Sequence, residues 1–364
     1  MKISKLYANN DDFKTIVFDK GINFILADNN GVGKSSLFKL IDFCLLGDKH
    51  FLGQEYFKDY IFYIELQIAS NRYMTIKRPT KSGKNIELKI TKGKSYLTDE
   101  KDFNKKGSLG IAKSFFENKV NYSINKFRTY ITYFLRDESN QSDAFILNKH
   151  ASTHAIEYKT LVSNLVGIDG RKIRKKYELD EIIKKEDIDE NTLKTAQDDL
   201  SKVIEENKIL INSRLIDRLK DCVSKYGNII LNKEVIFSID FNTSNDIEFS
   251  IKIEKDEESS DKLNDDVTIK KLLCLIFSSA LAEIYAQKRF IKFVAFDSPF
   301  DGENNTYENG IYTAIYELHR KGIQTIITSN EDVIKNKENL LEIKDEYMIG
   351  YLSNEDKLMG EFKI

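Results

Sequence analysis

Two groups of residues, in opposite halves of this 364-residue chain, could do chemistry together. The first is the stretch Asp28-Asn29-Asn30-Gly31-Val32-Gly33-Lys34-Ser35-Ser36. In a phosphate-binding loop a glycine opens a turn, four residues follow, and Gly-Lys-Ser closes it. Successive backbone N–H groups and the first turn of a helix then converge on an anion. Gly33, Lys34 and Ser35 stand where that pattern needs them. Lys34 would bring its ammonium to the β and γ phosphates of a nucleotide, and Ser35 would offer its hydroxyl to Mg²⁺. Gly31 and Gly33 would let the backbone approach without a Cβ in the way, and Asn30 and Ser36 belong to the same candidate set. Asp28 holds the opening position, where a carboxylate departs from the pattern. The second group is Asp297-Ser298-Pro299-Phe300-Asp301. An aspartate that ends a buried parallel strand is where a phosphate-loop enzyme holds Mg²⁺.

These residues work only if strands and helices aim them. An apolar run, Ile22 with Phe24, Ile25 and Leu26, leads into the loop, and an apolar-rich segment, Leu37 to Leu46, leads out of it. A glycine-bearing turn without ligand is the alternative reading, since the first glycine is missing; the strand before and the helix after are what the nucleotide motif requires. In the second half, Phe290–Phe296 reads as a buried strand, Tyr307–Lys321 as a helix and Gln324–Thr328 as another strand. A right-handed crossover would bring Asp297 and the segment Ser329-Asn330-Glu331-Asp332 to one edge of a sheet.

The rest of the pattern is mixed. Lys2–Leu6 and Lys14–Phe18 suggest a hairpin around Asn9-Asn10-Asp11-Asp12, and Tyr60–Ile68, Arg72–Arg78 and Ile86–Ile90 suggest an antiparallel meander beside a parallel core. Phe127–Arg136 reads as a strand that could deliver Arg136 or Gln141 to a metal or phosphate. From Arg171 to Tyr226 there is neither Pro nor Gly, and apolar residues from Leu193 to Val223 mostly recur every three or four positions. That predicts a long amphipathic helix, preceded by a shorter one at Ile173–Ile183 and a turn at Asp187–Asn191. Such a helical arm would project a few nanometres at about 1.5 Å per residue; two packed helices in a domain are the alternative. Val235–Phe241 and Ile247–Ile253 alternate as a hairpin, and an acidic stretch, Glu254–Asp266, precedes an apolar helix at Ile269–Tyr285. The expected organisation is 1–170 and 229–364 as two halves of one nucleotide-binding head, with 171–228 as the arm.

Composition excludes several classes. A net charge of -2, with 31% charged residues, predicts no whole-molecule attraction to nucleic acid or anionic membrane. Any such surface must be local, and the basic bias of the meander (Lys77 and Arg78 above all) marks either a solvated face or a phosphate-backbone surface for duplex DNA. The three cysteines, Cys44, Cys222 and Cys274, lie in apolar or helical stretches and read as reduced core residues. Four scattered histidines suggest no metal site. No apolar run reaches the length of a membrane span and no signal peptide is visible, so a soluble cytoplasmic protein is expected.

A phosphate loop, a central helical insertion and a metal-binding aspartate in the second half resemble the split layout of SMC-type ABC ATPases, the group of the SbcC, RecN and RecF repair proteins. Leu40-Ile41-Asp42-Phe43-Cys44-Leu45, Phe127–Arg136, and Phe293–Asp301 with Gln324–Asn330 are similar to the YydD-like bacterial branch. The resemblance implies an α/β fold: an ABC-type head with a mixed sheet, an added antiparallel meander and a short helical-hairpin (coiled-coil) insertion. It implies ATP and Mg²⁺ as ligands and a head-to-head homodimer on ATP binding. Lys34 and Ser35 would bind phosphate and metal, and Asp297 would be the Walker B aspartate. Three positions depart from the group. Asn264-Asp265-Asp266 stands where a neutral signature loop would face the γ-phosphate, Ser298 where most relatives carry the glutamate that orients the attacking water, and Asn330 where many carry a switch histidine. Like charge and a missing base both predict slow hydrolysis, with Glu331 as a substitute base.

Two readings follow. One is a working ATPase in a DNA-linked process such as repair or anti-phage defence, with a separately encoded nuclease or effector. The other is a nucleotide-gated scaffold that does not hydrolyse ATP. A nuclease of the OLD type is disfavoured, because little sequence follows the last strand and a short hairpin at Tyr347–Leu352 and Leu358–Phe362.

Overall fold

The computed structural model describes residues 1–28, 33–47, 57, 59–81, 85–94, 103, 105–120, 127–147, 155–185, 189–211, 213–254, 266–300, 307–330 and 347–353. The chain divides into two compact units: Met1–Ser139 with Tyr285–Ile364, and Asn140–Ile284. The boundaries expected at 171 and 228 both fall inside the second unit.

Among the described residues, the first unit is built on two sheets. One is parallel, in the order β13-β3-β12-β11-β8, from β3 (Ile22–Ala27), β8 (Leu135–Arg136), β11 (Phe293–Asp297), β12 (Gln324–Asn330) and β13 (Met348–Leu352). Every residue of β3 and β11 is buried, as expected of strands covered on both faces, and this explains their unbroken apolar runs. The other sheet is antiparallel, in the order β2-β1-β4-β5-β6-β7, from β1 (Lys2–Ala8), β2 (Ile16–Val17), β4 (Ile61–Ala69), β5 (Arg72–Pro79), β6 (Ile86–Lys92) and β7 (Lys105–Gly107). The expected hairpin and meander are both present.

Helix α1 (Lys34–Cys44) touches β8 and β11 of the parallel sheet and β4 and β5 of the antiparallel one. Touching both sheets, it carries apolar side chains on more than one face: Leu37, Phe38, Leu40, Ile41, Phe43 and Cys44 are all buried, and Lys39 is exposed. The side-chain amide of Gln324 ties the sheets together: its Nε2 donates to the Ile3 carbonyl at 2.7 Å and its Oε1 accepts from the Ile3 N–H at 2.8 Å. The loop helix is therefore anchored on both sides.

Two expected elements differ. Phe127–Arg136 is not one strand: Phe127–Tyr130 forms a helical turn (α3), Ile131–Tyr133 a 3₁₀ turn, and only Leu135–Arg136 pairs, parallel to β11. Its aromatics at 127, 130 and 134 have helical spacing and pack inward, Phe127 on Phe116 at 4.5 Å between ring centres and Phe134 on Phe290 at 5.5 Å. The segment Tyr347–Leu352 joins β3 in parallel, and its expected hairpin partner lies outside the described residues. Helix α2 (Leu109–Val120) completes the antiparallel side.

The second unit contains α4 (Ala155–Leu165), α5 (Gly170–Ile183), α6 (Glu190–Leu210), α7 (Arg214–Leu231), the hairpin β9 (Val235–Phe241) and β10 (Ile247–Ile253), and α8 (Val267–Tyr285). Helices α5 and α6 form the expected pair, closed by Leu179, Ala196 and Val203 with Ile182, Ile183 and Leu200. The long helix of the sequence reading breaks after Leu210. Ser213, extended at φ -97 and ψ 144, caps α7 by accepting the Ile216 N–H on its hydroxyl at 3.4 Å. Ser213→Ala is expected to lower the unfolding free energy by about 1 kcal/mol, read as a shift in the urea midpoint without a change in slope. An unshifted midpoint would remove the cap as the cause of the break. Buried Lys176 of α5 pairs with Asp180 at 2.7 Å and with Asp246 in the β9–β10 turn, which fixes the root of the helix pair to the hairpin.

Candidate nucleotide-binding site

Parallel pairing decides what meets at the C-terminal edge of the first unit. Register places Asn330 beside Ala27, the last residue of the strand feeding the loop, and Thr328 beside Asp297. Gly33 takes a left-handed conformation, φ 112 and ψ 9, which a side chain would strain, and the chain enters α1 at Lys34. Lys34 is only 6% exposed, and its Nζ donates to Asn330 Oδ1. Asp297 is 3% exposed; its Oδ1 accepts from Thr328 Oγ1 at 2.7 Å, and the Ser35 side chain lies beside the same carboxylate.

Burial pushes the Asp297 carboxyl above its ordinary range. The bond from Thr328, the neighbouring Ser35 side chain and the charge of Lys34 oppose that rise, and the charge of Glu138, just past β8, adds to it. After Asp297 the chain turns sharply: Ser298 is left-handed at φ 49, and its N–H donates to Thr328 at 3.1 Å to Oγ1 and 3.2 Å to the carbonyl. A hydroxyl, a buried carboxylate and a buried ammonium thus share one sheet edge. The oxygens of Ser35 and Asp297 fit Mg²⁺, which takes hard oxygen donors, few carboxylates and the oxygens of a bound phosphate.

No family model and no curated protein matches the sequence. Among solved structures, an Smc head bound to the C-terminal winged-helix domain of ScpA matches with a TM-score of 0.54 and 13% identity over 92% of each chain. A second, the Smc head from Pyrococcus furiosus with an extended coiled coil, bound to the C-terminal domain of ScpA, matches with a TM-score of 0.51 and 14% identity over 92% of this chain and 91% of that one. A third, the Smc head from Pyrococcus yayanosii with a coiled coil and joint, gives 0.50 and 12% over 92% and 93%. The chain has the fold of an SMC head. The ABC-type α/β fold implied by the sequence is the observed one.

Within this SMC-head fold the expected site residues separate into groups. Lys34, Ser35, Asp297 and Asn330 come together; Ser36 lies half-buried on α1. Asn30, Gly31 and Glu331, and the signature positions Asn264 and Asp265, lie outside the described residues. Asp266 caps α8, accepting the N–H groups of Thr268 at 2.7 Å and Ile269 at 3.1 Å. Arg136 is fully buried with its guanidinium 5.4 Å from the Tyr133 ring centre; it ends β8 and pairs with Phe296, the residue before Asp297. Gln141 belongs to the second unit and is buried.

Lys77 and Arg78 are also corrected. They are 5% and 6% exposed. Lys77 lies 3.6 Å from Glu87 and over the Phe103 ring; Arg78 stacks 3.9 Å above the Phe43 ring and donates to the Phe43 carbonyl at the end of α1, where a cation is favoured. Neither offers its charge to a duplex. Sequence reading missed Thr328 and Glu138, because their link to Asp297 comes from strand register and carries no spacing signal. Among the described residues no helix is long and apolar enough to cross a membrane.

Proposed function

We propose that this protein binds ATP with Mg²⁺ at the edge formed by β3, β12 and β11, pairs with a second copy in the ATP-bound state, and hydrolyses ATP slowly. The observation that carries the reading is the convergence of Lys34, Ser35 and Asp297 at the C-terminal ends of adjacent parallel strands. Lys34 would exchange the Asn330 carbonyl for phosphate oxygens, a stronger, charge-assisted partner. Ser35 and Asp297 would hold Mg²⁺, which when bound neutralises charge on the β and γ phosphates. Asn330, which ends β12 on the same edge, and Glu331, the next residue in the sequence, are the polar groups proposed to position or activate water.

Ser298 supports slowness, since a serine supplies no carboxylate general base next to the metal aspartate. The same feature favours the second reading, a nucleotide-gated scaffold in which ATP stabilises a dimer without turnover. Steady-state phosphate release beside equilibrium ATP titration separates the two. Turnover that requires Lys34 supports the enzyme, tight binding without turnover supports the scaffold, and absence of ATP binding overturns both.

The affiliation with the YydD-like branch of the SbcC, RecN and RecF group and a role in repair or anti-phage defence with a separate nuclease or effector belong to this proposal and rest on the sequence resemblance; cytoplasmic location belongs to it too and rests on the lack of a visible signal peptide or membrane-span-length apolar run in the sequence. Direct DNA contact is assigned to exposed Arg72 and Lys92, which pair across β5 and β6, with Lys94 beside them. Reversing both charges at Arg72 and Lys92 is expected to weaken duplex binding about tenfold at moderate salt and to flatten its salt dependence. An unchanged salt series would remove this surface.

A further inference from the structure

Asp28 sets a carboxylate at the end of β3, at the opening position of the sequence pattern whose Lys34 is proposed to meet an anion. A negative charge there repels a polyphosphate, and the repulsion grows as the separation shrinks. The fold gives this carboxylate a partner. The Tyr351 hydroxyl donates to Asp28 Oδ1, and the Asp28 N–H donates to the Leu352 carbonyl at 3.0 Å. Lys14 Nζ in turn donates to the Tyr351 carbonyl at 2.7 Å, bracing the end of β13 from the segment between β1 and β2.

Direction matters more than the bonds themselves. In the parallel sheet β13 flanks β3 on one side and β12, then β11, on the other. Lys34, Asn330 and Asp297 meet on the β12 side, whereas both bonds to Asp28 come from β13.

We propose that Tyr351 is a positioning residue of the nucleotide site, its hydroxyl holding the Asp28 carboxylate on the β13 side of β3, away from Lys34 and the phosphates it would bind. This rests on the nucleotide reading above. It accounts for a loop that tolerates an aspartate where a glycine is the rule.

The test is equilibrium binding of MgATP to the full chain in four forms: wild type, Tyr351→Phe, Asp28→Asn and the double variant, each checked for an unchanged melting temperature without ligand. Tyr351→Phe is expected to weaken MgATP binding about fivefold to tenfold, and Asp28→Asn to tighten it about threefold, since one charge pair at partly screened range is of that order. In the Asp28→Asn background the phenylalanine substitution is expected to have no effect, because no charge remains to be held. Equal loss in both backgrounds would show that Tyr351 acts on the nucleotide or on the strand alone, and would overturn the proposal, as would an unchanged affinity for Tyr351→Phe. Wild-type protein that binds no ATP would overturn the nucleotide reading together with this inference; wild-type binding with an inert Tyr351 would overturn this inference alone.

Discussion

Lys34→Ala is expected to weaken MgATP binding at least about a hundredfold and to abolish turnover. Its ammonium is the cation at the loop and is already buried, so it meets phosphate without further desolvation. Hydrogen bonds to charged groups contribute about 1.5–3 kcal/mol each, and two phosphate contacts are lost, which amounts to two or more decades of affinity. Isothermal titration with ATP in excess Mg²⁺ measures the loss, and phosphate release on the same preparation measures turnover. The variant also removes a cation beside Asp297, so its melting temperature without nucleotide must be recorded to separate a folding defect from a binding defect. Affinity within threefold of wild type would place the nucleotide elsewhere, whatever the sequence pattern at residues 28–36.

Asp297→Asn is expected to move stability and function in opposite directions. The carboxylate is buried, and its ionised form is disfavoured by that burial. Because its pKa is higher in the folded protein than in the unfolded chain, the native state holds the proton more tightly. The resulting destabilisation is absent at pH values below the unfolded value, grows as pH rises toward the folded value, and is complete above it. Asparagine keeps the shape and can still accept from Thr328, but carries no charge to desolvate. The variant should therefore melt higher than wild type at neutral pH in the absence of Mg²⁺ and nucleotide, and this advantage should shrink as pH falls toward the carboxylate range. At the same time Mg²⁺-dependent stimulation of ATP binding or turnover should fall at least about a hundredfold, because metal stabilisation of phosphoryl charge is worth several kcal/mol. Melting curves across pH, with and without MgATP, report both effects. A variant that melts lower than wild type at neutral pH, or that keeps its Mg²⁺ response, would remove Asp297 from the metal site.

A stabilising substitution at the residue that would do the chemistry is the expected mark of a site kept for function, since an unneeded buried carboxylate is a net cost. The left-handed Ser298 immediately after it is a second local irregularity at the same edge.

Much of this was readable in the residues themselves. The strand before the phosphate-loop sequence and the helix after it, the β4–β5–β6 meander and the β9–β10 hairpin are specified by local periodicity and turn residues, and they formed where periodicity placed them. Asp297 at the end of an apolar run could likewise be named without a structure. Sequence reading failed where apolar content was right but period was misjudged, at Phe127–Arg136, and where a single serine cap broke a helix that apolar spacing alone would have continued.

What only the tertiary structure decided were the relations between strands distant in sequence. Adjacent residues of a strand point to opposite faces, so Lys77 and Arg78 could both be buried only if both faces of β5 were covered. One face meets Phe43 of α1 and the other Phe103, and neither contact is encoded near residue 78. Thr328 reaches Asp297, Asn330 reaches Lys34, and Tyr351 reaches Asp28 because three strands happen to flank β3 and β11 in a fixed parallel register. Local sequence sets which residues carry charge and which segments become strands. The order and register of those strands, chosen by burial of the whole core, set which charges face one another and which face water.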